Sequence, residues 1–531
     1  MPSRTRRFFL NAISLTVTAL FMRAVAVAFN VYVSNRAGSE AMGLYSLLGS
    51  VYGFGITLGT AGINLGTTRL ISDALGEGNE ALAKSSAKKC LLYCLVSGGA
   101  ATLLLFEFAD PIGVILLGDA RTVLPLRILA TTLIPIAICS CLSGYFTAVR
   151  RVKVNAAFQV LTQFVKIAAT VFFLSFLLEL GVREACIALV LGGAVAEFVS
   201  LIITYALYRY DRRKLKSQAL ISKDRGISKK LLSITLPVTF SACIRSALTA
   251  IQHVLVPRGL KSSGLIWAEA LSKYGYLHGM ALPVILFPSA FISAFAGLLI
   301  PEVSECCVQN DVERLRRTSY RALSLSLFFS IGISGIMIFF SRELGLIIYD
   351  SEEVALYIRI LAPLIPVMYI DSSVDAILKG SGHQVYSMNV NIADALTSCI
   401  FALTLIPRLG IYGYIISIYA TELMNTTLSL YKMFSISKMR PKIMHQVFMP
   451  ILCIIGATNG AKLILSLFKH PFADGIELTL HIILTLSIYI VLLFATRTVG
   501  REEGEFLYAS LLSEKNYNLR FREDKTKTPQ V

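Results

Sequence analysis

Charge is scarce in this chain of 531 residues: Asp, Glu, Lys and Arg make up only 16% of it, against about 25% in ordinary soluble domains. That scarcity, with 55% hydrophobic residues and a mean hydropathy of +0.67, excludes a soluble globular protein and defines an integral membrane one. Long polar segments are missing too, so no separate soluble domain fits outside the apolar runs. The ten cysteines include no C-x-x-C pair. Most, among them Cys94, Cys139, Cys141, Cys186, Cys243, Cys399 and Cys453, lie inside apolar runs and read as small core hydrophobes. No metal site follows from them. A cleavable signal is not expected: the first apolar run is too long and lacks an A-x-A site, and it reads as the first span. The glycines of "GITLGTAGINLG" (55–66) lack the Gly-Lys-Ser/Thr ending of a phosphate loop and read as close helix packing. No cofactor is expected.

The net charge of +17 sits in short loops, as orientation by the positive-inside rule requires, and so does not point to nucleic acid. About fourteen apolar segments, at roughly one span per 20 residues, recur near 8–34, 42–69, 89–117, 122–149, 154–178, 184–208, 231–256, 275–301, 319–341, 354–379, 386–407, 411–436, 446–468 and 477–496. With the N-terminus inside, the even-numbered connections carry "RRVK", "RYDRRKLKSQALISKDRGISKK", "ERLRR" and "SKMRPK". The odd-numbered ones carry single charges such as Arg36, Arg183, Arg342 and Arg408. The alternation predicts an even number of spans and both termini cytoplasmic. The polar segment "ISDALGEGNEALAKSSAKK" (71–89) reads as a short surface helix or a plain loop.

The longest basic loop divides the chain. The expected organisation is an N-terminal six-helix bundle (1–208), a basic cytoplasmic linker (209–230), a second six-helix bundle (231–436), two additional helices (437–496) and a charged cytoplasmic tail (497–531). Both halves open with a mid-span arginine: Arg23 lies 16 residues after Arg7, and Arg245 lies 15 after Lys230. "GYFTAVRRVKVNAA" and "ILKGSGHQVYSMNVNIAD" join the fourth to the fifth and the tenth to the eleventh spans, each with an Asn at a like position (Asn155, Asn389). Two parallel halves are a common transporter plan.

Three stretches carry a resemblance to a known family: "SGYFTAVRRVKVNAAFQVLTQFVKI" (143–167), "PVTFSACIRSALTAIQHVLVPRGL" (237–260) and "YGYLHGMALPVILFPSAFISAFAGLLIPEVSE" (274–305). Together they resemble the multidrug/oligosaccharidyl-lipid/polysaccharide exporter superfamily, in particular the polysaccharide-exporter branch that contains stage V sporulation protein B. The resemblance implies an all-α membrane fold, two six-helix bundles around a central cavity, and movement of lipid-linked sugars across the membrane. Where lipid II flippases usually carry an Arg-Asp pair in the first helix, Arg23 is followed by Ala24. Where an arginine is expected five residues before the proline of the eighth helix, His278 stands.

A charge near the bilayer centre costs at least ~2.5–3.5 kcal/mol on insertion scales, so Arg23 and Arg245 demand a reason. Their planar forks suit a phosphate or pyrophosphate. The competing reading pairs them with buried carboxylates such as Glu197 or Asp394. Lys166 either lines the same cavity or snorkels to the inner surface, and Gln163, one turn earlier, suits a sugar hydroxyl. His278 either binds substrate or packs, while Glu269 and Lys273 have the i,i+4 spacing of an ion pair. Asp371 and Asp375 share a helical face, where a coupling cation or proton would relieve their repulsion. The alternative is plain placement at the outer end of a wet cleft.

The leading expectation is therefore a flippase or exporter for a lipid-linked anionic saccharide, a polysaccharide or peptidoglycan precursor, in the cytoplasmic membrane. Membrane lipids and a coupling cation are its other partners. A cation-coupled drug or small-molecule antiporter of the same superfamily is the alternative. A membrane enzyme is disfavoured because the outer loops are short and the long inner loop offers only Asp211 and Asp224.

Overall fold

The computed structural model describes residues 2–214, 226–467, 474–496 and 498. The rest of the expected tail and residues 215–225 of the expected basic linker lie outside the described residues, as do the side chains of Arg4, Arg6 and Arg7. Among the described residues there is no strand, and the all-α membrane expectation holds.

The chain opens with α1, Pro2–Thr60, which passes through one non-helical residue, Gly38 (φ 80°, ψ 170°). Glycine alone adopts that backbone freely, so the stretch breaks there into two helices, as the first two expected spans require. A turn at Gly62 leads to α2, Ile63–Gly76. The Asn79 side chain then accepts from the Leu82 amide at 2.9 Å and caps α3, Glu80–Glu107. There follow α4 (Val123–Thr131), α5 (Leu133–Ala148), α6 (Val152–Leu177), α7 (Val182–Lys214) and α8 (Ile227–Ser262). Next, α9 (Trp267–Tyr274) runs through a π-helical segment, Gly275–Ala281, into the short α10 (Leu282–Leu286). After Pro288 come α11 (Ser289–Val308) and α12 (Val312–Phe339), the latter capped by the Asp311 carboxylate on the Arg314 amide at 2.9 Å. The chain continues with α13 (Ser341–Tyr349), α14 (Glu352–Leu361), α15 (Ile365–Gly380), α16 (Gln384–Thr404) and α17 (Ile406–Leu409). It ends with α18 (Ile411–Ser437), α19 (Met449–Leu467) and α20 (Asp474–Ala495).

Among the described residues, 11 helical stretches are long and apolar enough to cross a membrane. This is fewer than about fourteen, the number expected at one span per 20 apolar residues. One reason is that Leu20–Gly76 counts as a single stretch although Gly38 divides it. Another is that α16 and α18 stand where spans are expected but have their apolar runs diluted by Asn, Asp, Ser and Thr.

The chain forms two compact units: Met1–Ala290 with Asn391–Thr421, and Phe291–Val390 with Glu422–Val531. In the first, α2, α3 and α5 pack closely. Ile71, Ala74, Ala83 and Ala87 join Leu142, Tyr145, Phe146 and Tyr208 in one buried cluster. The segment 71–89 is therefore neither a surface helix nor a loop. It is a helix–turn–helix whose small residues are core. Cys90, Cys94 and Cys141 sit in the adjoining cluster with Ile63 and Leu70, as small hydrophobes do.

The second unit is organised around α12. A row of buried serines runs along it. Ser326 shares a 2.7 Å hydrogen bond with Ser373 of α15, Ser334 donates to the Ala362 carbonyl at 2.8 Å, and Gln446 donates to Ser324 at 2.7 Å. Gly332 and Gly335 leave room for Tyr489 of α20 and Ile454 of α19, and the Tyr489 hydroxyl donates to the Phe328 carbonyl at 2.8 Å. The last two helices are thus keyed into the core of this unit.

Candidate functional site

Arg23 projects from the first half of α1 and is exposed. Its Nη2 lies 3.3 Å from the carbonyl of Leu286, the last residue of α10. That carbonyl is available because the Ala290 amide, its partner in a continuing α-helix, turns back to Phe287 instead. Ser289 Oγ also donates to it, at 2.6 Å. Arg23 therefore marks the break between α10 and α11 that the "FP" pair creates.

Arg245 is exposed on α8. At that level α8 lies against α1, where Thr57 donates to Ser246 at 3.1 Å. Among the described residues the Arg245 guanidinium makes no hydrogen bond or ion pair, and Arg23 has only the Leu286 carbonyl. Neither arginine pairs with Glu197 or Asp394. Two guanidinium charges on α1 and α8 of one unit are left without a carboxylate.

Lys166 and Gln163 lie partly buried on α6, which runs alongside α7. Lys166 acts electrostatically on Glu197 of α7, and Gln163 has no hydrogen bond among the described residues. On the neighbouring helices Tyr52 and Thr132 share a 2.6 Å hydrogen bond, with Glu197 close enough to bear on the phenol. No hydrogen bond or ion pair joins Gln163 or Lys166 to Arg23 or Arg245 among the described residues.

His278 lies in the π-helical segment, stacked on Tyr274 (centroids 5.2 Å apart, planes at 14°) and edge-on to His253 of α8 (4.5 Å, 77°). The Tyr274 hydroxyl and His253 Nδ1 are 3.1 Å apart. Glu269 and Lys273 do not form the ion pair their spacing allows, among the described residues.

In the second unit, Asp375 is balanced by Lys379 one turn on, at 2.5 Å, and accepts a short hydrogen bond from Ser387 of α16. Asp371 lies one turn earlier and is partly buried.

A network invisible in the sequence lies beside the Gly38 break in α1. Arg121 grips Asp119 from two nitrogens (Nε to Oδ1 3.0 Å, Nη2 to Oδ2 2.7 Å) and reaches Glu40 of α1 through Nη1 at 2.8 Å. The indole nitrogen of Trp267 donates to Asp119 Oδ2 at 2.9 Å. Burial alone would raise the Asp119 carboxyl, but the Arg121 guanidinium and the Trp267 N–H outweigh it and hold the group below the usual carboxylate range. Glu40 and Trp267 lie dozens of residues from the Asp119–Arg121 pair, so the network leaves no local motif. The one signal was a lone tryptophan at a helix start. His253 was also missed, although a histidine within a span is itself a signal.

Apolar helices packed through glycines and serines, with unpaired basic groups among them, define a multi-pass membrane protein. The family model described as "Polysaccharide biosynthesis protein" matches residues 8–306, more than half of the chain. The protein belongs to that family, within the multidrug/oligosaccharidyl-lipid/polysaccharide exporter superfamily. A second model, MatE, matches residues 268–404. Stage V sporulation protein B of Bacillus subtilis (strain 168) is 25% identical over 507 residues, covering 93% of this chain and 96% of that one. Sporulation protein YkvU of the same organism is 23% identical over 435 residues, covering 80% and 94%. Among solved structures, lipid II flippase MurJ in an inward closed conformation superposes with a TM-score of 0.66 at 14% identity, covering 91% of this chain and 99% of that one. An inward-facing multidrug resistance MATE family transporter gives 0.61 at 17% identity, over 80% and 99%. These two likenesses establish the fold.

Proposed function

We propose that this transporter moves a lipid-linked anionic saccharide across the cytoplasmic membrane by alternating access, with both termini cytoplasmic. One observation carries the reading: no described carboxylate neutralises Arg23 or Arg245, two cations expected at mid-span. A structural ion pair would need its acid. A substrate site needs a cation that is left open, and a phosphate or pyrophosphate supplies the missing anion transiently. The lipid tail stays in the bilayer while the head group visits the arginines, and Gln163 and Lys166 serve the sugar side. Moving one net negative charge outward against an inside-negative 100 mV releases ~2.3 kcal/mol, so the membrane potential favours export of such a head group. The similarity to a stage V sporulation protein and to a lipid II flippase supports a peptidoglycan or polysaccharide precursor as cargo. The antiporter alternative needs acids free to exchange a cation, and Asp375 is already engaged by Lys379.

The test is flipping of a fluorescent lipid-linked saccharide in vesicles that hold the purified protein, for wild type, Arg23→Ala and Arg245→Ala, each shown to insert and fold. Loss of flipping in both variants supports the reading. Wild-type rates in both would remove the phosphate clamp. A wild type that moves no such lipid would remove the cargo.

A further inference from the structure

The first unit contains a second set of titratable groups that the transport reading leaves unused. His253 and His278 meet edge to face on α8 and the π-helical segment, with Tyr274 stacked on one ring and hydrogen-bonded to the other. π-Helical turns inside α-helices are rare and frequent at functional sites. This one sets His278 against its two aromatic neighbours.

The segment carrying His278 is also one side of an unusually tight seam. A Cβ on Gly275 would lie 2.0 Å from the Ser39 carbonyl oxygen, and one on Gly43 would lie 2.1 Å from that of Leu271. Gly279 faces Met42 and Ser46. Here α1 and the α9–π–α10 segment touch backbone to backbone, as small residues allow. At the Gly38 end the seam is fastened by the contact of Trp267 with Asp119.

We propose that His253 and His278 form a proton-binding site, and that taking up a proton opens the seam between α1 and the α9–π–α10 segment. The charged or titratable groups on the elements packed around the pair include Glu269, Lys273, Tyr274 and Tyr276 on the same segment, Arg245, Arg258 and Lys261 on α8, Arg36, Glu40, Tyr45 and Tyr52 on α1, Arg408 on α17, and Tyr412 and Tyr414 on α18. Glu40 is held by Arg121, and Tyr414 acts on Tyr274. None of the carboxylates pairs with either imidazole among the described residues. An imidazolium in this packing has no anion beside it, and an unpaired charge is costly to keep from water. A proton on either ring therefore favours the arrangement in which the rings are wet, and the closed seam selects the neutral pair. Proton and conformation are linked in both directions. This adds a coupling ion to the transport reading and does not depend on the cargo.

The chain's single tryptophan, Trp267, stands at the head of α9 and reports on the seam directly. Emission and acrylamide quenching of the full chain in lipid nanodiscs, without substrate, are followed from about pH 8 to about pH 5, the range in which histidine switches. Wild type is expected to shift to longer wavelength and become more quenchable as the pH falls. The His253→Gln/His278→Gln double variant is expected to stay flat. His278→Arg, whose guanidinium stays protonated in proteins, is expected to show the acid signal already at about pH 8. Asp119 does not confuse the reading, because its carboxyl is held below the usual carboxylate range. A wild type with no such change, or a change that survives in the double variant, overturns the proposal. Because no saccharide is present, failure here leaves the flippase reading standing. A failed flipping assay likewise leaves this result untouched.

Discussion

Trp267 and Asp119 are 148 residues apart in the chain, yet the indole N–H meets the carboxylate at 2.9 Å. The bond joins the head of α9 to the turn before α4. Arg121 extends the link to Glu40 and so to α1. The Asp119 side chain is only 6% exposed, so its charge depends on these partners rather than on water.

Asp119→Asn should therefore cost more than a surface change. It removes a charged acceptor shared by two donors, and hydrogen bonds to charged groups are worth ~1.5–3 kcal/mol. The expected result is a lower melting temperature, with Trp267 emission moved to longer wavelength at neutral pH. Acid should do the same to the wild type. The folded carboxyl lies below its unfolded value, so its stabilisation is complete above about pH 4. It is lost as the pH falls through the lower, folded value. An Asn variant that melts like wild type would show the clasp to be idle.

Gly275→Ala tests the seam from the other side. The added methyl would sit 2.0 Å from the Ser39 carbonyl oxygen, and backbone on both sides cannot swing away. Overpacking of this kind costs ~1–3 kcal/mol. Gly297, with nothing within 4 Å of its would-be Cβ, is the control. Gly275→Ala should lower thermal stability and raise acrylamide access to Trp267, whereas Gly297→Ala should do neither.

What the sequence made legible follows from what kind of signal each feature leaves. Apolar runs and loop charge gave the membrane class and most of the helices, because burial in lipid acts on every residue of a span. Arg23 and Arg245 stood out for the same reason: a charge inside an apolar run is locally conspicuous. The Asp119–Arg121–Glu40–Trp267 network was not readable, since each member is ordinary in its own neighbourhood. Only the fold brings them together. The 71–89 segment misled because alanines and glycines count as weakly apolar in a sequence, yet Ala74, Ala83 and Ala87 are core where helices approach closely. The charges Arg36 and Glu40, which read as a connection between two spans, flank the break at Gly38 where one helix ends and the next begins.

Asp375 was legible as an acid on a membrane helix, but its partners were not. Lys379 neutralises it at i,i+4 spacing and Ser387 donates to it. Asp375→Asn should then change stability only modestly, because such a helical pair is worth about 0.3–0.5 kcal/mol. It should leave any sodium dependence of transport unchanged. A sodium response that vanishes in this variant alone would restore the coupling-ion reading of Asp371 and Asp375.

The two arginines allow a finer separation than truncation to alanine. Arg245 touches nothing that its loss would strand, so Arg245→Ala should move stability by no more than about 0.5 kcal/mol. Arg23→Ala gives up one hydrogen bond to the Leu286 carbonyl and should cost slightly more. Lysine at either position keeps the charge but replaces the planar fork by a point donor. If the arginines only supply positive potential, Arg23→Lys and Arg245→Lys should flip saccharide at near wild-type rates. If they grip a phosphate with two parallel N–H···O bonds, the lysine variants should lose roughly tenfold each, the equivalent of about 1.4 kcal/mol, while melting like wild type. The second outcome is the one expected here. A guanidinium kept in an apolar stretch without a carboxylate is a costly way to hold charge alone, and its geometry is what a lysine cannot replace.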